Sequence, residues 1–293
     1  MNRIMEKLLV FYAWSCGAIL VGAVGYILGY LFYKGASSLN LSLIFGEVNP
    51  LDALLLRQPV FDGLFPAIIG TLILVLLSVS IAIPIGMAAG IYMAEYANDK
   101  VRGLFGVFFD ILAGIPSIVI GLFGFSVSVF LHHHFSESIY PSLIVSALSL
   151  AFLVLPYLIR TTQIALESIP QNIRMTAMAL GAERLQNIFY VLIPHSLSGI
   201  ASGVVLSIGR CAEDTAVIML TGVVATAGIP KSIMANFEAL PFYIYYISSQ
   251  YADSDELAKG FGAAIILIMI CAALLSLAFF IKRRLSNHML YKF

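Results

Sequence analysis

From Leu64 to Met93 the chain carries no charged residue, and the same holds from Gly260 to Ile281. A run of that length and character has few places to go. A helix rises 1.5 Å per residue, so about 20 apolar residues cross the roughly 30 Å hydrocarbon core of a bilayer. Lipid offers no partner to a backbone N–H or C=O, whereas a helix satisfies both internally. Six runs are long enough: about 9–32, 64–93, 103–131, 141–160, 196–222 and 260–281. The expected fold is an all-α polytopic membrane protein with six transmembrane helices, forming a single membrane domain over residues 1–293.

Composition agrees. Hydrophobic residues make up 60% and charged residues 11% of the chain, and mean hydropathy is +0.97. A soluble domain presents about 25% charge to water, so membrane lipid is the expected surrounding. Net charge is zero, which argues against a nucleic-acid partner. Cys16, Cys211 and Cys271 fall in apolar runs and read as small apolar side chains, neither disulfide partners nor metal ligands. His132, His133 and His134 are adjacent, and three consecutive residues cannot turn to one metal from a helix. No His, Cys or Ser/Lys grouping lies inside a span, which leaves an intramembrane enzyme without a nucleophile and base; no catalytic residue is expected. The first run follows Arg3 and Lys7 but is too long for a signal-peptide core, so a retained helix is expected.

Loop charges orient the chain. With the N-terminus inside, the inner side holds Arg3, Lys7, Lys100, Arg102, Arg160, Arg174, Arg184, Lys282, Arg283, Arg284 and Lys292. The outer side holds Lys34, Arg57, Lys231 and Lys259. Positive residues favour the cytoplasmic side, so both termini are expected there. Two outer loops are sizeable, about 33–63 and 223–259; the tyrosines of the second (243, 245, 246, 251) read first as an interfacial aromatic belt, with a docking surface for an extracytoplasmic partner as the alternative. Pro84, Pro116 and Pro156 sit inside runs, and transporters use such breaks to set polar backbone beside a pathway.

One stretch defies the apolar pattern: LSIGRCAEDTAVIML, residues 206–220. Each charge at a span centre costs about 2.5–3.5 kcal/mol, and intramembrane ionisable residues mark function more often than not. Arg210 and Asp214 are four apart and share a helix face, with Glu213 also in reach. One reading is a self-neutralising cluster that locks the fifth helix into the bundle. The other is a pathway for a multivalent oxyanion: guanidinium offers a planar fork of donors, a neighbouring carboxylate keeps the anion from binding too tightly, and Thr215 adds a hydroxyl.

The inner connection at about 169–193 is patterned like structure. Ile173 to Leu180 is rich in helix formers, Gly181 ends the run, a second short helix is expected from Ala182 to Tyr190, and Pro194 opens the fifth span. Two readings stand side by side: an elbow offered to another protein's groove, with Ala177, Ala179 and Ala182 permitting close approach, or two helices lying on lipid headgroups.

MTAMALGAERLQNIFYVLIP (175–194) resembles the EAA loop of ABC importer permeases, with the pattern Glu-Ala-Ala, three residues, Gly, nine residues, Ile-x-Leu-Pro. Ala177, Gly181, Val191, Ile193 and Pro194 stand at its second Ala, Gly, Ile, Leu and Pro; Met175 and Thr176 replace its Glu and first Ala. FPAIIGTLILVLLSVSIAIPIGMAAGIYMAEYA (65–97), ILAGIPSIVIGLFGF (111–125), LVLPYLIRTTQIAL (153–166) and GRCAEDTAVIMLTG (209–222) resemble the PstA-type permeases of phosphate importers, a similarity running from about 60 to 225. In the last stretch Glu213, Asp214 and Val217 stand where that family has Gly, Glu and Pro.

The resemblance implies a type I ABC importer permease fold with a cytoplasmic coupling-helix elbow, in a bacterial or archaeal cytoplasmic (inner) membrane. It implies transport of inorganic phosphate, with Arg210 and Arg160 in translocation, Asp214 as acidic companion, and Glu213 and Thr215 beside them. It implies coupling to an ATPase through Ala177, Gly181, Ala182, Glu183, Arg184 and Pro194. Arg160 also reads as a topology anchor at the inner edge of the fourth span, and Asp110 is a further candidate partner for an arginine. No glycine precedes a lysine, so the chain has no P-loop of its own. The implied partners are a paralogous PstC-type permease, a PstB-type ABC ATPase dimer using ATP and Mg, and an extracytoplasmic PstS-type phosphate-binding protein; no cofactor is expected on this chain. Other cargoes (molybdate, tungstate, a phosphonate) and an ion-driven carrier acting alone are the rival readings.

Overall fold

The computed structural model describes residues 3–290; Lys292, counted above among the inner cations, lies outside them. Among the described residues there is no strand, and one isolated bridge joins Val223 to Phe237. The helices in order are α1 (Arg3–Gly35), α2 (Leu41–Phe45), α3 (Pro50–Leu54), α4 (Phe65–Glu95), α5 (Asp99–Ala113), α6 (Ser117–His134), α7 (Leu143–Glu167), α8 (Gln171–Ala179), α9 (Arg184–Asn187), α10 (Ile193–Glu213), α11 (Ala216–Thr221), α12 (Leu240–Gln250) and α13 (Ser254–Leu290). Six helical segments are long and apolar enough to cross a membrane: Met5–Ser38, Phe65–Glu95, Ser117–His134, Leu143–Glu167, Arg184–Glu213 and Ser254–Arg284.

Two of the runs read from sequence as single spans are broken. The run 103–131 is two helices, with Gly114–Pro116 between them. Pro116 lacks an N–H and disfavours a helical conformation in Ile115, so α5 stops and α6 restarts. The break frees α5 to follow its own amphipathic pattern; it packs Phe109 and Leu112 on Leu155 and Ile159 of α7 and turns Leu104, Val107, Phe108 and Ile111 outward. The run 196–222 ends as a helix at Glu213, passes through extended Asp214, and resumes as α11, which Gly222 terminates at φ 143°. Pro84 and Pro156, by contrast, lie inside α4 and α7 without ending them.

The core is built on α7. Leu143, Leu150, Val154 and Leu158 of α7 are buried among Leu74, Val75 and Ala82 of α4, Ile120 of α6, Cys211 of α10, and Val217 and Ile218 of α11. The α4–α7 approach depends on glycine: a Cβ on Gly86 would stand 2.7 Å from Leu158 Cβ, and one on Gly90 2.6 Å from Thr162 Cβ. The first turn of α7 has N–H groups with no intrahelical acceptor. The end of α11 and the 222–239 segment after it supply acceptors: Ser142 N–H donates to Thr221 C=O (2.8 Å), Leu143 N–H to Ala235 C=O (3.0 Å) and Ile144 N–H to Ile233 C=O (2.9 Å). α1 stands at the edge against α13, with Tyr30 edge-on to Phe261 at 6.0 Å, and its apolar side chains are exposed along nearly its whole length.

Candidate functional site

The fifth span breaks where its charges lie. Asp214 Oδ1 accepts the Val217 N–H at 2.9 Å, which caps the first turn of α11. That bond turns Asp214 inward, leaving its side chain 4% exposed. Arg210, one turn earlier, donates from Nη1 to Glu213 Oε1 at 3.2 Å, and its Nη2 lies 3.7 Å from Asp214 Oδ2. Its Nε is buried without a partner; the other such atoms among the described residues belong to Ser128, Ser142, Thr162 and Asn187, all uncharged. Thr215 gives its carbonyl to the Met219 N–H at 3.0 Å and lies half-buried beside Asp214.

The depth of this cluster follows from packing. Gly203 of α10 lies against Thr161 of α7, and farther along the chain Thr221 Oγ1 donates to Ser146 Oγ at 2.9 Å. Arg210 comes seven residues after Gly203, about 10 Å along the helix, between those two levels of α7. The charges therefore sit near mid-span. Asp214 is not the free acidic companion the sequence suggests: one of its oxygens is committed to backbone, and the exposed carboxylate beside Arg210 is Glu213.

Arg160 lies about one level nearer the elbow, next to Thr161. Its Nη2 is 2.9 Å from both Asp110 oxygens and 3.1 Å from Gly106 C=O, and its Nε is 3.3 Å from Asp110 Oδ1. Gln163 Oε1 receives Nη1 at 3.5 Å, and Gln163 in turn donates to Glu167 Oε1 at 2.9 Å. Glu167 is 3.7 Å from Arg102, whose guanidinium also donates to the last carbonyls of α4, Met93 and Ala94, both at 3.2 Å. The structure thus brings together Arg160 and Asp110, and leaves Arg160 apart from the Arg210 cluster.

The elbow is one helix and a turn. Gly181 has φ 85°, its N–H donates to Met178 C=O at 3.0 Å, and Ala182 N–H returns to Ala177 C=O at 3.0 Å; this pair of bonds is the Schellman stop that glycine permits. The second short helix expected over Ala182–Tyr190 is not separate. α9 begins at Arg184, with Glu183 N–H donating to Gln186 Oε1 at 2.9 Å, and runs through a π turn (Ile188–Leu192) straight into α10 past Pro194. Arg184 lies over the Tyr96 ring at 4.5 Å.

Sequence reasoning missed what mounts this elbow. Arg174 Nη1 pairs with Glu95 Oε1 at 2.6 Å, its Nε donates to Ile169 C=O at 3.2 Å, and its Nη2 donates to Leu166 C=O. Asn187 Nδ2 then holds the Arg174 carbonyl at 3.0 Å. Glu95 is the lone charge in α4, and a lone acid closing so long an apolar helix was the available signal. Glu238 was missed too. It is buried beside Gly70 of α4 and accepts the Gly228 N–H at 2.7 Å; burial pushes its carboxyl up, while the N–H groups of Gly228 and Ala227 pull it down by less.

A family model described as binding-protein-dependent transport system inner membrane component matches residues 86–289. The chain is 34% identical to the phosphate transport system permease protein PstA of Haemophilus influenzae over 257 residues, covering 87% of this chain and 86% of that one. It is 28% identical to the probable ABC transporter permease protein YqgI of Bacillus subtilis, covering 100% and 98% respectively. Among solved structures, a bacterial ABC transporter involved in importing the acidic polysaccharide alginate superposes with TM-score 0.64 at 18% identity, over 97% of this chain and 99% of that one. The MetNI methionine ABC transporter in an inward-facing conformation superposes with TM-score 0.57 at 16% identity, over 81% and 99%.

Proposed function

We propose a phosphate-translocating role for this chain, which belongs to the binding-protein-dependent transport system inner membrane components and, within them, to the PstA-type ABC permeases. It is an integral inner-membrane protein of six membrane helices. The observation that carries the cargo is Arg210: a guanidinium near mid-span whose buried Nε has no partner and whose Nη groups face Glu213 and Asp214 at 3.2 and 3.7 Å. Keeping such a cation in a bilayer costs several kcal/mol unless something pairs with it. A dianion does so in passing, since its oxygens match the guanidinium fork. Asp214, held by its bond to Val217, stays within Coulombic reach and offsets part of that attraction, so the anion is released. Glu213, 62% exposed by side chain, supplies an acceptor for the hydroxyl of a protonated phosphate, a group that a fully ionised oxyanion lacks.

The driving force comes from outside the chain. An ABC ATPase dimer, using ATP and Mg, grips the elbow at Ala177, Gly181, Ala182, Glu183, Arg184 and Pro194. A PstC-type permease completes the pathway, and a PstS-type binding protein delivers phosphate to the opposite face. Both termini are cytoplasmic, in keeping with the basic residues around the elbow. The test is uptake of radiolabelled phosphate by cells lacking this chain, with and without the chain restored and with arsenate and molybdate as competitors. Restoration of uptake that arsenate suppresses and molybdate leaves alone supports phosphate. Uptake unchanged by deletion overturns it.

A further inference from the structure

We infer that Asp110 is a resident carboxylate that occupies the Arg160 guanidinium in the resting state and that the transported oxyanion displaces on its way out. The inference rests on the phosphate reading above and adds the group that guards the exit. Arg160 presents the fork an oxyanion would use, and that fork is filled: Nη2 touches both Asp110 oxygens at 2.9 Å and Nε reaches Oδ1 at 3.3 Å. The remaining contacts are neutral, to Gly106 C=O at 3.1 Å and Gln163 at 3.5 Å. Removing the carboxylate therefore leaves Arg160 tethered with its charge uncovered.

Three features suit the pair to opening. The Asp110 and Arg160 side chains are 66% and 33% exposed on this chain, so an incoming anion can reach the pair without unpacking a core. Asp110 lies on α5, which Gly114–Pro116 disconnects from α6, so α5 can move without dragging a membrane span. Gly106 is the third: a Cβ there would stand 3.3 Å from Arg160 Nη2, so glycine lets α5 close down on the guanidinium. The pair also lies in the right order. Thr161 abuts Gly203, and Arg210 is seven residues farther from the elbow, so an anion leaving Arg210 toward the elbow side meets Arg160 next.

The expected signature separates exchange from scaffolding. In the complete importer reconstituted in vesicles with ATP, Asp110→Asn leaves Arg160 free to retain phosphate. Slower release lowers the maximal uptake rate and the half-saturating phosphate concentration together, each by about tenfold, and Asp110→Glu restores both. A purely structural pair gives another result: the rate falls with assembly while half-saturation stays put, and the reversed pair Asp110→Arg with Arg160→Asp recovers uptake. Either that pattern, or wild-type kinetics in Asp110→Asn, overturns the inference and leaves the phosphate reading standing. Wild-type vesicles that take up no phosphate overturn the phosphate reading and the exit guard with it.

Discussion

Two partly buried arginines of this chain stand at different levels of the helical bundle and meet opposite treatment. Arg174, under the elbow, is fully subscribed: Glu95 takes one donor at 2.6 Å and the carbonyls of Ile169 and Leu166 take others, with side chains only 17% and 9% exposed for Arg174 and Glu95. Arg210, at mid-span, is short of partners: one carboxylate at 3.2 Å, one at 3.7 Å, and a buried Nε facing nothing. A guanidinium whose three nitrogens all have partners, and whose carboxylate is buried with it, has nothing left for a passing ligand, and its strength goes into joining α8 to the ends of α4 and α7. A guanidinium left short is poor mortar and a good binding group. Charge alone does not tell the two apart; the state of each donor does.

The largest effect that tests this contrast is at Arg210. Arg210→Ala should lower phosphate uptake on the order of 100-fold, the loss expected when a desolvated charge partner is truncated, while membrane levels and complex assembly stay at wild type. Arg210→Lys keeps the charge without the fork and should recover only part of the rate. Loss of assembly in Arg210→Ala would make this arginine another joint and erase the comparison. At the elbow the reverse holds. Arg174→Ala leaves Glu95 buried and unpaired, a change costing about 3–5 kcal/mol, read as a lower thermal midpoint of the purified complex. Glu95→Ala combined with it should be milder than the sum of the two, because no stranded charge remains. Strict additivity would show that the two side chains do not act as a pair.

Gly181 gives a smaller effect on the same machinery. At φ 85° a Cβ is strained, yet nothing lies within 4 Å of where it would stand, so the penalty is backbone alone, about 1 kcal/mol. Gly181→Ala should raise ATP hydrolysed per phosphate imported by about fivefold, the ratio that shift implies, and Gly181→Asn, which visits left-handed backbone more readily, should do so less. Equal effects from the two would place the fault in side-chain contact with the ATPase.

Much of this architecture was legible in composition. Six membrane helices follow from apolar runs that no water-exposed fold could hide, and the stop at Gly181 follows from a glycine after a run of helix formers. The breaks at 114–116 and 213–215 were not, because a hydropathy profile averages over them: Ile115 is as apolar as its neighbours, and Asp214 interrupts a helix by bonding to Val217 rather than by being polar. Proline was an unreliable guide. Pro84 and Pro156 are carried through by close α4–α7 packing, whereas Pro116 follows Gly114, where the chain had little to hold it helical. The pairing of Arg160 with Asp110 spans fifty residues, and that of Arg174 with Glu95 seventy-nine; neither separation is a helical period, so no local pattern could reveal them.

The smallest effect lies across the membrane from the elbow. Glu238 is buried against α4 with its carboxyl raised above the ordinary value of 4.5, burial outweighing the N–H groups of Gly228 and Ala227. A carboxyl raised in the folded state favours the fold in its protonated form. Its contribution is present below the unfolded value and is lost as pH rises through the folded one, so the 222–239 segment should loosen as pH rises through an interval above the ordinary carboxyl value. Because that segment supplies the acceptors for the Leu143 and Ile144 N–H groups of α7, loosening should appear there as faster amide exchange at those two residues. Glu238→Gln keeps an acceptor for Gly228 and cannot ionise, so its exchange rates, after correction for the intrinsic effect of pH, should be flat across the same interval. A wild-type protein just as flat would mean that the N–H groups hold the carboxylate as well as the acid, and that this end of the bundle, like the Arg174 joint, is built to stay shut.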